Sequence, residues 1–365
     1  MMAVIKDYLA WRGDLTFDKS PFNEVDNYIV AKIGTADLTG IVPEDAREVP
    51  FGLALDLYDA KYGKNADYLG ALASASIMPV MREAAKSVRF RDLRLSGFTR
   101  KYVVEATEQF SALTVVLPDG QRYVSFRGTD DTLIAWKENL LMSVEKNVAA
   151  QKDALAYLEW AAGAYPGELI VGGHSKGGNL AVYAAAAAAP EIQDRICEVY
   201  SNDGPGFMSD FLRSEGYRRI RPKIKLILPQ HSIVGTLLTQ DDNYEIVRSL
   251  KAGFAGHDGF NWAVLGPAFE RCGELSKGSR VFDDSIDAMV EKMTVEDRRT
   301  FIEELFDTLE KSGAKTVTDI TEQRLKNVLK LTNSLRKAPE VRKFIGALIE
   351  EMIRSRKELR KSASE

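Results

Sequence analysis

Cysteine is nearly missing from this 365-residue chain, which has only Cys197 and Cys272. Two thiols make no disulfide framework and carry no metal-ligand spacing. Histidine is almost as scarce, with His174, His231 and His257 the only three, so the search for a proton-relaying imidazole is short. No apolar run approaches the length that spans a bilayer, so no transmembrane helix is expected. The start, Met1 to Asp7, lacks both the basic region and the long apolar region of a secretory signal, and a cytoplasmic location is the expectation. Strong charge of one sign is also absent: the net charge of −4 is too mild to imply nucleic acid as a partner. What is present, 45% hydrophobic and 28% charged residues, is an ordinary soluble composition that can bury one large core with appendages, or two.

Taken in order, the chain reads as helical and loop-like up to about Arg94. Pro21 to Asp26 opens a helix that carries Val25, Ile29 and Ile33 at four-residue spacing. Further helices are expected over Phe51 to Tyr62 and Met78 to Val88, with Pro79 in the first turn. The period then changes. Ser111 to Leu117 and Arg122 to Phe126 are strand-like, and Pro118-Asp119-Gly120 between them marks a hairpin. Helical patterns at Leu133 to Leu141 and Ala149 to Ala162 alternate with strands at Glu168 to Val171, Ile196 to Tyr200, Lys223 to Leu228 and Tyr244 to Val247. Such alternation implies a mostly parallel sheet with helices on both faces.

Beyond about Arg280 the pattern is helical. Thr294 can cap a helix carrying Phe301, Leu305 and Leu309 that ends at Gly313, Leu325, Leu329 and Leu335 mark another, and Val341, Ile345, Leu348 and Met352 form a stripe. The expected division is a helical N-terminal section over 1–95, an α/β core over 96–280 and a helical region over 281–365.

Glu168 to Val171 runs into Gly173-His174-Ser175-Lys176-Gly177, and an alanine-rich helix follows from Asn179. Strand, Gly-x-Ser-x-Gly turn and helix together make a candidate nucleophile elbow, in which Ser175 is exposed on a sharp turn. Gly173 and Gly177 stand where a Cβ would collide with the neighbouring strand or helix. The bland alternative is a glycine-rich βα turn that happens to hold a serine.

Phe126-Arg127-Gly128-Thr129 with Trp136 behind it, and Gly173 to Gly178 downstream, resemble the class 3 lipases of the α/β-hydrolase fold. More closely, Ser20 to Asp26, Phe126 to Asp130, Gly173 to Ala181 and Asn202 to Phe207 resemble the Mbeg-like family of bacterial proteins, a domain of unknown function. The resemblance covers roughly residues 15 to 265. It implies an α/β-hydrolase fold and a serine hydrolase mechanism more firmly than a substrate.

Among the histidines, His174 lies inside the elbow with its side chain expected to point away from Ser175. The chain order nucleophile, acid, histidine favours His257 as the base over His231. The acid is expected to be Asp203, on the rigid turn after Ile196 to Tyr200, where it can fix the imidazole. Asp241, Asp242 and Asp258 are alternatives, and Asp203 can also be read as a turn cap. Class 3 lipases place the acid one strand later, in the segment matching Pro229 to Val234, where this chain has Ser232. The N–H of Lys176 and, by the same resemblance, Thr129 would form the oxyanion hole. The Lys176 side chain either meets an anionic substrate group or is simply solvated, and Leu133 to Met142 is either a lid or core. The reading is an ester hydrolase, lipase- or esterase-like, acting on a small-molecule or lipid ester and needing no cofactor or metal. Its rival is a non-catalytic α/β-hydrolase-like domain that binds a protein partner. Oligomeric state is not readable.

Overall fold

In the computed structural model, residues 2–70, 73–291, 293–311, 315, 316 and 319 are described. The N-terminal part holds α1 (Ile5–Arg12), α2 (Glu24–Ile33), β1 (Val49–Pro50), α3 (Phe51–Tyr62) and α4 (Ile77–Lys86). The middle holds β2 (Arg94–Val103), β3 (Glu108–Val116), β4 (Arg122–Phe126), α5 (Leu133–Leu141), α6 (Ala149–Ala164), β5 (Leu169–His174), α7 (Lys176–Ala187), α8 (Pro190–Arg195) and β6 (Ile196–Asn202). Then come α9 (Ser209–Leu212), α10 (Glu215–Ile220), β7 (Ile224–Pro229), β8 (Glu245–Val247) and α11 (Gly253–His257). Last are β9 (Val264–Leu265), β10 (Ala268–Phe269), α12 (Lys277–Glu291) and α13 (Val295–Lys311).

Strands β1 to β8 form one sheet in sequential order. The pairs from β1 to β4 are antiparallel and those from β4 to β8 parallel. The fold is thus the expected α/β arrangement. Asn23 caps α2 by accepting from the N–H groups of Val25 and Asp26, and the Pro118-Asp119-Gly120 turn joins β3 to β4. Strand β2 went unread. Its register shifts between Ser96 and Thr99, and Gly97 sits at φ +63°, which breaks the two-residue alternation that announces a strand. The boundary expected at 95 therefore falls inside β2, and α12 begins before 281.

Sequential strand order explains the two faces. Right-handed crossovers that always advance in one direction put every connecting helix on the same side of the sheet. Helices α6 and α7 pack there, against Val124, Phe126, Leu169, Val171 and Val199. The opposite face has no crossover helix, and the N-terminal helices cover it, with Tyr28, Ile29 and Ile33 of α2 in one core with Leu113, Tyr123, Ile170 and Ile227. Thr294 Oγ1 accepts from Asp297 N (3.1 Å) at the start of α13, which packs against α5. The expected stop at Gly313, the helix of Leu325 to Leu335 and the stripe from Val341 to Met352 lie outside the described residues.

A fully buried ion pair ties the N-terminal cover together. Arg89 donates through Nε to Asp26 Oδ1 (2.7 Å) and through Nη2 to Oδ2, and its other N–H groups reach the carbonyls of Leu15, Ser20 and Pro21. Tyr8 donates to the same carboxylate (2.8 Å). Removing the cation alone strands a buried carboxylate, which typically costs about 3–5 kcal/mol. Arg89→Met is therefore expected to lower the urea midpoint by that equivalent, and an unchanged midpoint would show the pair to be dispensable.

Candidate functional site

Register sets the site. Strands β5 and β6 are parallel with His174 opposite Asn202, so Ser175 and Asp203 are the first residues beyond the sheet on neighbouring strands. Both have positive φ, +59° for Ser175 and +50° for Asp203, which non-glycine residues adopt only under constraint. The constraint at Ser175 is close packing of backbones. A Cβ on Gly173 would lie 2.3 Å from the Gly177 carbonyl carbon, and one on Gly177 would lie 2.1 Å from the Phe126 oxygen. Both glycines act as expected. Ser175 N donates to Asn202 O (3.0 Å) and its carbonyl accepts from Gly178 N (2.9 Å), which fixes the turn.

The fully buried Asp203 carboxylate has three donors. Oδ1 accepts from Ser232 Oγ (2.5 Å) and Gly235 N (3.0 Å), and Oδ2 accepts from His257 Nδ1 (2.6 Å). Nδ1 of His257 therefore carries the proton, assigned from its partner, and Nε2 is left as an acceptor. The segment after β7, where class 3 lipases place an acid, holds Ser232, which here hydrogen-bonds to Asp203. The other carboxylates have different partners: Asp241 is bonded by Tyr217 and Arg221, and Asp258 by Tyr28 and Phe260 N. His231 is half-buried, and burial pushes its imidazole below the ordinary value. Among the described residues no carboxylate is bonded to it.

His257 stands next to the elbow through its neighbour. Its ring packs against that of His174 at 4.3 Å between centroids and 35° between planes, and His174 Nε2 donates to the His257 carbonyl (2.8 Å). His174 Nδ1 accepts from Lys32 Nζ (2.9 Å). Both nitrogens of His174 are thus occupied, and burial, Lys32 and His257 push its imidazole well below the ordinary value. Among the described residues neither Ser175 Oγ nor His257 Nε2 has a hydrogen-bond partner.

The oxyanion candidates also flank Ser175. Lys176 opens α7, where the first N–H groups have no intrahelical acceptor. A Cβ on Gly128, the residue before Thr129, would lie 3.3 Å from Ser175 Cβ. Thr129 Oγ1 accepts from Asn139 Nδ2 (2.6 Å), so its hydroxyl proton is free to donate. Helix α5 is capped by Thr132, whose Oγ1 accepts from Ala135 N (3.3 Å).

The Lys176 side chain is neither solvated nor open to substrate. It is fully buried and donates to Gln109 O (2.6 Å), Gln109 Oε1 (2.8 Å) and Glu138 Oε2 (2.9 Å). Both earlier readings of it fail, because the side chain turns into the space between β3 and α5. Glu138 also accepts from Ala150 N (2.9 Å), so α5, the candidate lid, is pinned from inside.

Two residues were missed, Lys32 and Arg127. Each is 8% exposed. The available signal for Lys32 was a lysine inside the otherwise apolar run Tyr28 to Ile33. For Arg127 there was only its place in the Phe-Arg-Gly-Thr motif. Among the described residues no cluster of His, Cys, Asp or Glu could hold a metal ion, and no helix is long and apolar enough to cross a membrane.

Burial pushes the Lys32 ammonium down to about 8, with Asp258 pulling it up and Arg127 pushing it further down. His174 and the face of Tyr28 are its other neighbours. The unfolded chain holds this proton more tightly, so the penalty is complete below pH 8 and fades as pH rises toward the unfolded value. The shift corresponds to about 3 kcal/mol. Lys32→Met, followed by urea unfolding from pH 7 to 10.5, is expected to lose that much stability relative to wild type across the range. A constant gap would overturn the assignment.

Comparison with known proteins adds three findings. The Mbeg1-like family model matches residues 84–307. The crystal structure of M37 lipase is similar over 59% of this chain and 70% of that chain, at 14% identity and a TM-score of 0.38. No curated protein matches.

Proposed function

The chain belongs to the Mbeg1-like family, and we propose that this member is a serine hydrolase that cleaves an ester through Ser175, His257 and Asp203. The observation that carries the reading is the 2.6 Å hydrogen bond from His257 Nδ1 to the buried Asp203 carboxylate, beside a serine held at positive φ. A serine hydroxyl is a weak nucleophile and needs a base. In this scheme His257 Nε2 takes the Ser175 proton as Oγ attacks the ester carbonyl, then returns it to the leaving alcohol. Asp203 fixes the tautomer and stabilises the imidazolium. The N–H of Lys176, with Thr129 through its N–H or hydroxyl, faces the charge that develops on the carbonyl oxygen. Water then attacks the acyl-enzyme by the same route. The substrate is a small-molecule or lipid ester, and the cytoplasm is the proposed compartment.

A fluorophosphonate probe reads the activated serine directly. Labelling is expected in wild type and absent in Ser175→Ala. In His257→Ala and Asp203→Asn the labelling rate should fall by about 10³-fold or more, as when a base or its orienting acid is lost. Folded wild-type protein that takes no label would sink the reading.

A further inference from the structure

Among the described residues four cations are buried, Lys32, Arg89, Arg127 and Lys176. Two have carboxylate partners: Arg89 has Asp26 and Lys176 has Glu138. Among the described residues the other two make no ion pair. Lys32 makes one hydrogen bond, to a neutral imidazole nitrogen, and among the described residues the Arg127 guanidinium makes no hydrogen bond or ion pair.

Both unpaired cations stand at the elbow. Strand β4 runs parallel to β5 with Phe126 opposite Gly173, so Arg127 follows level with His174. Side chains alternate along a strand. Tyr123 and Ser125 face α2, where they donate to Asn27 Oδ1 (2.7 Å) and Ala31 O (3.3 Å), and the same alternation turns Arg127 toward α2. Lys32, in the last turn of α2, is bonded to His174 on that face. The register therefore puts Arg127 and Lys32 on the same side of β5 at His174, where the Arg127 charge disfavours the Lys32 ammonium and burial weakens both cations. The carboxylates that attract them, Asp130 and Asp37 for Arg127 and Asp258 for Lys32, act without a direct bond to either cation. Asp130 accepts from Thr132 N (2.9 Å) and Oγ1 (2.6 Å), Asp258 accepts from Phe260 N (3.2 Å), and Asp37 pairs with Arg100 (2.5 Å).

Two like charges that have lost most of their water and make no direct ion pair are costly unless something supplies negative charge at bonding distance. We propose that Arg127 and Lys32 form an anion subsite beside Ser175, which receives a phosphate or carboxylate group carried by the ester substrate. A planar guanidinium offers paired N–H donors to two oxygens of such a group, and the ammonium adds a point charge. The substrate class then narrows from esters in general to anionic esters. Selectivity rests on the hydrolase reading, whereas anion binding does not.

The test compares kcat/KM for butyrylglycerol, butyrylglycerol phosphate and O-butyryl lactate, which are neutral, phosphate-bearing and carboxylate-bearing. Wild type is expected to favour one of the anionic esters by about 10- to 100-fold, the range for one or two charge-assisted hydrogen bonds. The ratio of anionic to neutral ester should collapse toward unity in Arg127→Gln and in Lys32→Met, and survive in part in Arg127→Lys. If Arg127→Gln fails to fold, Lys32→Met carries the same comparison. A wild type without preference, or a preference that persists in both charge-removing variants, overturns the subsite. Calorimetric titration with inorganic phosphate, against chloride at matched ionic strength, separates this result from failure of the hydrolase reading. Phosphate binding that is lost in the variants supports the subsite even if no ester is cleaved, and absence of binding to a wild type that cleaves nothing overturns it.

Discussion

Everything at this end of the sheet depends on how closely three backbone segments approach one another at the turn from β5 to α7. The Phe126 carbonyl of β4 and the first turn of α7 leave no room for a side chain at Gly173 or Gly177, and the packing that excludes those side chains holds Ser175 at positive φ. Strain of that kind survives only where the surroundings over-determine it. Here they do. Asn202 donates through Nδ2 to the Gly173 carbonyl (2.9 Å) and accepts through Oδ1 from Asn27 of α2 (2.9 Å). The turn is thus held from the strand beside it and from the helix behind it.

That second tie gives the N-terminal helices a part in the site. In a sheet whose strands follow chain order, one face is left without crossover helices, and some other stretch has to cover it. Helix α2 does so, and it brings more than apolar surface. Nine of its residues are buried, including Asp26, Asn27 and Lys32. Asp26 binds Arg89, Asn27 braces Asn202, and Lys32 fixes His174, against which His257 packs. The cover therefore braces the elbow through these polar residues as well as shielding the sheet.

Much of this was legible. Local signals were strong where chemistry and backbone geometry agree: the glycines around Ser175, the Asn23 cap, the Pro118-Asp119-Gly120 hairpin and the three histidines in chain order. Strand β2 was hidden because its alternation breaks at Gly97. The support that Ser232 gives Asp203 was hidden for another reason, since it joins residues 29 apart in sequence through a loop. Lys176 was misjudged because its surroundings come from β3 and α5, which no pattern near the elbow announces. Unpaired charge is the least legible feature of all. A lysine or arginine in the sequence does not say whether a carboxylate waits for it, and Arg127 and Lys32 differ from Arg89 and Lys176 only in what the fold brings near.

Where a sequence breaks local rules consistently in one place, function is the usual reason. Ser175 and Asp203 take positive φ just past adjacent strands, and Lys32 and Arg127 are buried on the flanking elements without a direct ion pair among the described residues. A fold selected for stability alone would gain by relaxing each: a less crowded turn, a residue suited to positive φ, an apolar side chain at 32 or 127. Elsewhere the buried cations Arg89 and Lys176 are paired with carboxylates that satisfy them, and the other non-glycine residues described at positive φ are Thr107 and Leu238. Ser175, Asp203 and Arg127 follow the carboxyl ends of neighbouring parallel strands, where α/β sheets place their ligands, and Lys32 reaches the same end through His174.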